Sequence, residues 1–260
     1  MNLCLRNNLI LTFGIISLLT QVAFGEDAGV FSVTSGIDYS SGKYGSQDRT
    51  DIISVPIMGK YEVDDWTLKL TIPYVSITGP GNVSPGIGKF KNTPTTKRST
   101  ESGLGDIVVA STYAFYNGNN GGPAIDITGK IKFGTADEKK GLGTGENDYI
   151  GLVDLYQSFG DFTALASIGY RIYGDSNEAS LDNVFFGSVG GSYKIISGTS
   201  AGVLYDYRPA ITSNGSVVSE VTAFINHKIN ENWKSQAYLV KGFANGSPDY
   251  GIGALVGYVF

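Results

Sequence analysis

One cysteine and one histidine in 260 residues leave this chain almost without soft-ligand or thiol chemistry. Cys4 stands in the first few residues, ahead of an apolar run, so it is not placed as a lipid-modified residue at a cleavage site. A disulfide framework, a thiol nucleophile and a Cys/His zinc site are all excluded for the remainder, and no cofactor is expected. Long apolar runs are also lacking. The one extended stretch, Leu9 to Leu19, is shorter than the roughly 20 residues a membrane-spanning helix needs. Arg6 before it and Ala23-Phe24-Gly25 after it give the layout of a signal peptide, so residues 1–25 are expected to be removed. With Arg6 gone, 19 basic residues become 18 against 24 acidic ones. A mixed, acidic surface of that kind argues against nucleic acid as a partner.

Beyond Gly25 no segment carries a helical period; the recurring period is two. Glycine (36 residues), tyrosine (16) and phenylalanine (13) are abundant instead. Twelve strands are predicted, at 30–40, 52–61, 66–77, 104–115, 124–135, 148–159, 162–173, 184–194, 200–208, 218–229, 233–243 and 250–260. Their connections sort by length. Short turns carry Asp64-Asp65, Asn117-Gly118, Gly160-Asp161, Ser197-Gly198 and Asn230-Glu231-Asn232, and longer segments at 41–51, 78–103, 136–147, 174–183, 209–217 and 244–249 alternate with them. Short turns at one end and long loops at the other are the asymmetry of a transmembrane barrel.

Facing gives a second test. Ile125, Ile127, Ile131 and Phe133 share one face of 124–135, while Asp126, Thr128, Lys130 and Lys132 share the other. Choosing one apolar face per strand sends every strand charge to the opposite face except Lys241, which is long enough to reach headgroups. On the apolar face, Tyr61, Trp66, Phe115, Phe159, Phe162, Tyr193, Trp233 and Phe260 fall at turn-side ends. Tyr39, Phe133, Tyr149, Phe185, Tyr207, Phe243 and Tyr250 fall at loop-side ends. Two aromatic girdles bounding an apolar band are what the two membrane interfaces select. The last strand alternates Tyr250, Ile252, Ala254, Val256, Tyr258 and Phe260 up to the final residue, a pattern similar to the assembly signal of bacterial outer-membrane proteins. The expectation is therefore an all-β chain whose residues 26–260 form a single antiparallel up-and-down barrel of about 12 strands in a Gram-negative outer membrane. Its expected partners are outer-membrane lipids and the barrel assembly machinery.

Several motifs invite chemistry and lack its remaining parts. Gly141 to Gly145 has no following Lys-Ser/Thr and no helix to aim amides at a phosphate, so it is expected to be a flexible outer loop. His227 faces outward near a turn, away from any inward serine, so a catalytic role is not expected. Asp137-Glu138 and Asp175-Ser176-Asn177-Glu178 do not have calcium-loop spacing. The interior is more informative. Lys130, Lys132, Arg171 and Arg208 point inward with a nearly balancing set of carboxylates, and Tyr173, Phe186, Phe224 and Tyr238 point inward as an apolar track. Inward Gly36, Gly169, Gly190, Gly202, Gly251, Gly253 and Gly257 are expected to leave space beside them. Loop 78–103, with Lys89, Lys91, Lys97 and Arg98, is expected either to fold over the mouth as a cationic lid or to be disordered.

Ser102-Gly103-Leu104-Gly105-Asp106-Ile107, Lys130-Ile131-Lys132-Phe133-Gly134-Thr135 and Gly141-Leu142-Gly143-Thr144-Gly145 resemble outer-membrane proteins grouped with the MetA pathway of phenol degradation. The resemblance extends through Leu165-Ala166-Ser167-Ile168-Gly169-Tyr170 toward the C-terminus. Members usually carry Pro-Thr-Gly after the lysine-containing strand, where this chain has Phe133-Gly134-Thr135. The resemblance implies a barrel that passes small hydrophobic or aromatic solutes. The competing expectation is a structural or surface-interaction barrel with a plugged lumen.

Overall fold

The computed structural model describes residues 29–81, 83–89, 98–118, 121–175, 180–213 and 215–260. The expected signal peptide lies outside them. The strands are β1 (Val30–Gly42), β2 (Thr50–Val63), β3 (Trp66–Gly79), β4 (Val83–Ser84), β5 (Gly88–Lys89), β6 (Ser99–Leu104), β7 (Ile107–Asn117), β8 (Ala124–Phe133), β9 (Asp148–Phe159), β10 (Phe162–Ile172), β11 (Val184–Ile196), β12 (Thr199–Arg208), β13 (Val218–Lys228), β14 (Trp233–Gly242) and β15 (Tyr250–Val259). Wall strands pair antiparallel with their sequence neighbours, and β1 pairs with β15 from Ser32↔Val259 to Ser41↔Tyr250. That last pairing closes the sheet on itself. Because β6 and β7 share one position against β3, the closed wall has twelve strands.

Local chemistry explains the short turns. Asp64, Gly160 and Gly198 have φ of 49°, 64° and 77°, and each stands in a two-residue connection between paired strands. A left-handed residue there matches the twist of the flanking strands. Two irregularities depart from the sequence expectation. The fourth wall strand begins at Ser99 rather than 104 and breaks at Gly105-Asp106, where the Gly105 amide donates to the Pro73 carbonyl at 2.8 Å. A bulge between Ala114 and Tyr116 then turns both Phe115 and Tyr116 outward.

Facing follows the period-two reading. Ile127, Ile131, Val153 and Leu155 are exposed on the outer wall, while Asp126, Thr128, Lys130 and Asp154 are buried inside. So continuous an apolar exterior would drive association in water and suits lipid. The girdles form as expected. At the turn side Trp66 meets Tyr113 at 4.8 Å, Trp233 meets Tyr258 edge-to-face at 5.0 Å, and Phe260 meets Phe31 at 5.4 Å between ring centres. At the loop side Tyr170 meets Phe185 at 4.6 Å, and Tyr39 meets Tyr250 at 6.1 Å. Lys241 donates to the Asp249 carbonyl at 2.9 Å rather than standing free.

Candidate functional site in the lumen

Five of the inward glycines, Gly36, Gly169, Gly190, Gly202 and Gly253, do not hold space open. Gly169 pairs with Phe186, Gly202 with Phe224 and Gly253 with Tyr238, each directly across the strand boundary. A Cβ on Gly169, Gly202 or Gly253 would stand 2.4, 2.4 or 2.2 Å from that partner's ring. Leu204 and Leu255 likewise lie against Gly190 and Gly36. The missing side chain on one strand is therefore the seat for a large one on the next, and the expectation of open space at these positions is corrected. Gly251 has no Cβ contact below 3.3 Å.

This arrangement fills the turn-side half of the lumen. Met58, Ala124, Tyr156, Leu165, Leu204, Phe224, Tyr238 and Leu255 pack into one buried apolar layer. Around and below it lie buried polar residues, among them Thr112 and Thr128, whose hydroxyls are 2.8 Å apart, and Asn226, which accepts from Gln236 at 2.7 Å. The blockage is made from the wall's own side chains.

The loop-side half is different. A cavity of about 230 Å3 lies there, floored in part by Tyr238 and walled by Ile52, Val75, Val108, Ile150 and Val240. One rim is a charge network. The Lys132 ammonium sits 2.9 Å from Asp106 and 3.4 Å from Asp148, and Arg171 reaches Asp148 at 2.6 Å. Arg171 also lies over the Tyr173 ring, 4.4 Å from its centre. Lys132 further donates to the Thr144 hydroxyl and the Glu146 carbonyl, which ties the loop after β8 to the wall. The cavity is roofed by folded-in loops. The β4–β5 hairpin contributes Ser84, Pro85, Gly86 and Gly88, and the loop after β1 contributes Tyr44. Ile87 at the hairpin tip is buried against Tyr173, Val184 and Ile211, and Arg208 donates to its carbonyl at 3.3 Å. Burial pushes the Tyr44 phenol above its ordinary range, so it stays neutral beside the Ser40 hydroxyl, 2.9 Å away.

All eight residues expected to line the interior do face it, but they do not form one track. Lys132, Arg171 and Tyr238 line the cavity. Phe224 joins Tyr238 in the layer beneath, and Lys130 is buried one rung below Lys132 on β8. Tyr173 and Arg208 belong to the roof, joined by a 3.4 Å contact from guanidinium to phenol, while Phe186 lies on the wall over Gly169. Sequence reasoning placed a lid in loop 78–103, whose 83–89 hairpin does roof the cavity, but missed the buried residues of the loop after β8. Leu142 and Thr144, expected in a flexible outer loop, are instead buried, Leu142 against Val75, Ile77 and Ala136. Of the supposed cationic lid, Lys91 and Lys97 lie outside the described residues, and Arg98 pairs with Asp51 at the rim. His227 sits on the outer face as expected, its Nδ1 2.9 Å from the Thr199 hydroxyl.

A closed twelve-stranded wall with an apolar exterior, two aromatic girdles and loops sorted by length defines a bacterial outer-membrane β-barrel. Residues 29–260 match the family described as "Putative MetA-pathway of phenol degradation", and the chain belongs to that family. No curated protein matches it by sequence. Among solved structures it is similar in fold to the KdgM porin, at 12% identity and TM-score 0.50, covering 86% of this chain and 99% of that one. The β-domain of the Bordetella autotransporter BrkA, at 12% identity and TM-score 0.53, covers 90% of this chain and 100% of that one. The translocator domain of the Neisseria meningitidis autotransporter NalP, at 10% identity and TM-score 0.51, covers 90% and 89%.

Proposed function

We propose that this barrel admits small apolar or aromatic solutes into its loop-side cavity and passes them across the outer membrane. The observation that carries the reading is the mostly apolar cavity itself, roofed by folded-in loops and floored by side chains. Sites for small organic molecules are concave and mostly apolar, with a few placed polar groups. Size sets a limit. An apolar cavity of about 150 Å3 accommodates a benzene molecule, so about 230 Å3 suits one ring with a short substituent. The family's association with phenol degradation points the same way. Passage requires the apolar layer to shift, because Tyr156, Phe224 and Tyr238 block the way to the turn side.

The packed turn-side lumen also supports a second reading, a structural barrel whose roof loops serve as a surface. Solute flux separates the two. Purified barrel in liposomes should admit one-ring aromatics faster than protein-free vesicles. Val240→Trp, which fills the cavity from its wall, should cut that uptake by about tenfold while the barrel keeps its heat-dependent gel shift. Folded protein with no flux across an aromatic and aliphatic panel would leave the structural reading standing.

A further inference from the structure

The charges around the cavity do not all cancel. Lys132 is held by Asp106 and Asp148, and Arg171 by Asp148. Arg208 donates to the Tyr173 hydroxyl and the Ile87 carbonyl in the roof, and its charge also acts on Glu220 from beyond ion-pair distance. Across the lumen, Asp38 of β1, Glu220 of β13 and Tyr238 of β14 also line the cavity. Asp38 Oδ2, Glu220 Oε1 and the Tyr238 hydroxyl are buried and have no hydrogen-bond partner among the described residues. Tyr238 is 4% exposed and Glu220 8%. No cation comes within 4.0 Å of either carboxylate among the described residues.

Register brings two of these oxygens together. Asp38 pairs with Gly253 and Gly253 with Tyr238, so the three occupy one row, and the phenol lies across the glycine between them. Glu220 pairs with Gly242 at the loop end of β14, nearer the mouth on the same side of the lumen. A buried carboxylate without a donor is costly, and a charged donor offsets that cost best. The donors nearby are neutral hydroxyls, Ser54 facing Asp38 across the β1–β2 pairing and Ser247 beside Glu220, and neither brings a charge.

We propose that the cavity is a site for a protonated amine carried on a one-ring or short branched apolar body. The ammonium sits between Asp38 and the Tyr238 oxygen, and its body packs against Ile52, Val75 and Val240. Glu220, with Asp206 beside it in the β12–β13 register, adds the same sign nearer the mouth, offset in part by Arg208. An ammonium supplies three N–H donors and no acceptor, which fits oxygens that need donors. An anionic solute finds the opposite: the cations it would seek, Lys132 and Arg171, are already held by carboxylates. This inference rests on the cavity being a solute site and names the class of solute.

The test is calorimetric binding to the full barrel in nanodiscs at neutral pH, with empty nanodiscs as the blank. The probes are 2-phenylethylamine, its neutral counterpart 2-phenylethanol, and phenylacetate. The amine should bind at least about tenfold more tightly than the alcohol, as a charge-assisted hydrogen bond warrants, and phenylacetate should bind most weakly. Asp38→Asn should bring the amine-to-alcohol ratio close to one, and Glu220→Gln should lower it in part. If Asp38→Asn does not yield a heat-modifiable barrel, Tyr238→Phe carries the test, with the ratio expected to fall several-fold. Equal affinity for amine and alcohol in the unaltered barrel overturns the amine site and leaves the apolar cavity reading intact. Binding of none of the three overturns both.

Discussion

At the scale of single residues, the interior is organised by size exchange between neighbouring strands. Phe186, Phe224 and Tyr238 each lie over a glycine of the next strand, which keeps large rings inside a barrel of modest width. Gly169→Ala or Gly202→Ala should therefore destabilise the barrel by about 1–3 kcal/mol, because the ring must leave its seat. Gly129 faces lipid with nothing within 4 Å of its absent Cβ. There, alanine should be neutral or stabilising by up to about 1 kcal/mol, since glycine only adds chain entropy. Urea unfolding midpoints in micelles would check all three, and equal costs at Gly129 and Gly202 would refute the seating. The inward direction of these rings and glycines was legible from alternation alone. Their pairing was not, because all three pairs cross long loop-side connections, whose length does not set register. Leu204 on Gly190 crosses the short Ser197-Gly198 turn, but a register shift between Lys194 and Ile196 intervenes.

At the scale of elements, legibility tracks the membrane. Strand bounds inside the apolar band were readable to within a residue or two, since lipid on one face enforces alternation and turns such as Asp64-Asp65 end it sharply. The segment Ser99-Thr100-Glu101-Ser102-Gly103 extends the wall beyond the loop-side girdle, where lipid no longer selects one face. Its sequence therefore reads as loop although it pairs with β3 from Tyr74↔Leu104 to Gly79↔Ser99. The apolar anchors of the roof were hidden for a related reason. Ile87 and Leu142 are isolated apolar residues in polar surroundings, and only their folding inward gives them partners. Adjacent residues of β2 provide a test of facing within one element. Val55 is exposed to lipid, and Ser54 lines the cavity opposite Asp38 in the β1–β2 register. Val55→Arg should cost about 2–4 kcal/mol if it lies near the bilayer midplane. Ser54→Arg should cost less, because its guanidinium gains the Asp38 carboxylate. Folded fraction on unboiled gels and urea midpoints would report the difference, and equal costs would show that one of the two faces is misassigned.

At the scale of the whole molecule, closure and blockage come from the same strands. The β1–β15 seam ends at Phe260, whose amide donates to the Phe31 carbonyl at 3.0 Å and whose ring meets Phe31 and Tyr258. Deleting Phe260 removes that clasp, so the yield of heat-modifiable barrel in the outer membrane should fall, and undiminished yield would show that the seam closes without it. Once closed, the lumen is stopped by the layer that Tyr156, Leu165, Leu204 and Phe224 form with Tyr238. Among the described residues, the groups that must move for a path to open beneath the cavity are side chains on the wall. Removing the rings at Tyr156 and Phe224, which leaves the Asp38 and Tyr238 oxygens in place, tests that arrangement. Each truncation is expected to cost about 3–5 kcal/mol as a large-to-small core change, so folding is checked first by gel shift. In planar bilayers the unaltered barrel should conduct poorly, since its lumen is packed at this level. The Tyr156→Ala, Phe224→Ala double variant should conduct several-fold better and admit neutral one-ring solutes into liposomes faster. A folded double variant with unchanged conductance and unchanged uptake would show that the barrier lies lower, among Asn226, Lys234 and Gln236 at the turn side.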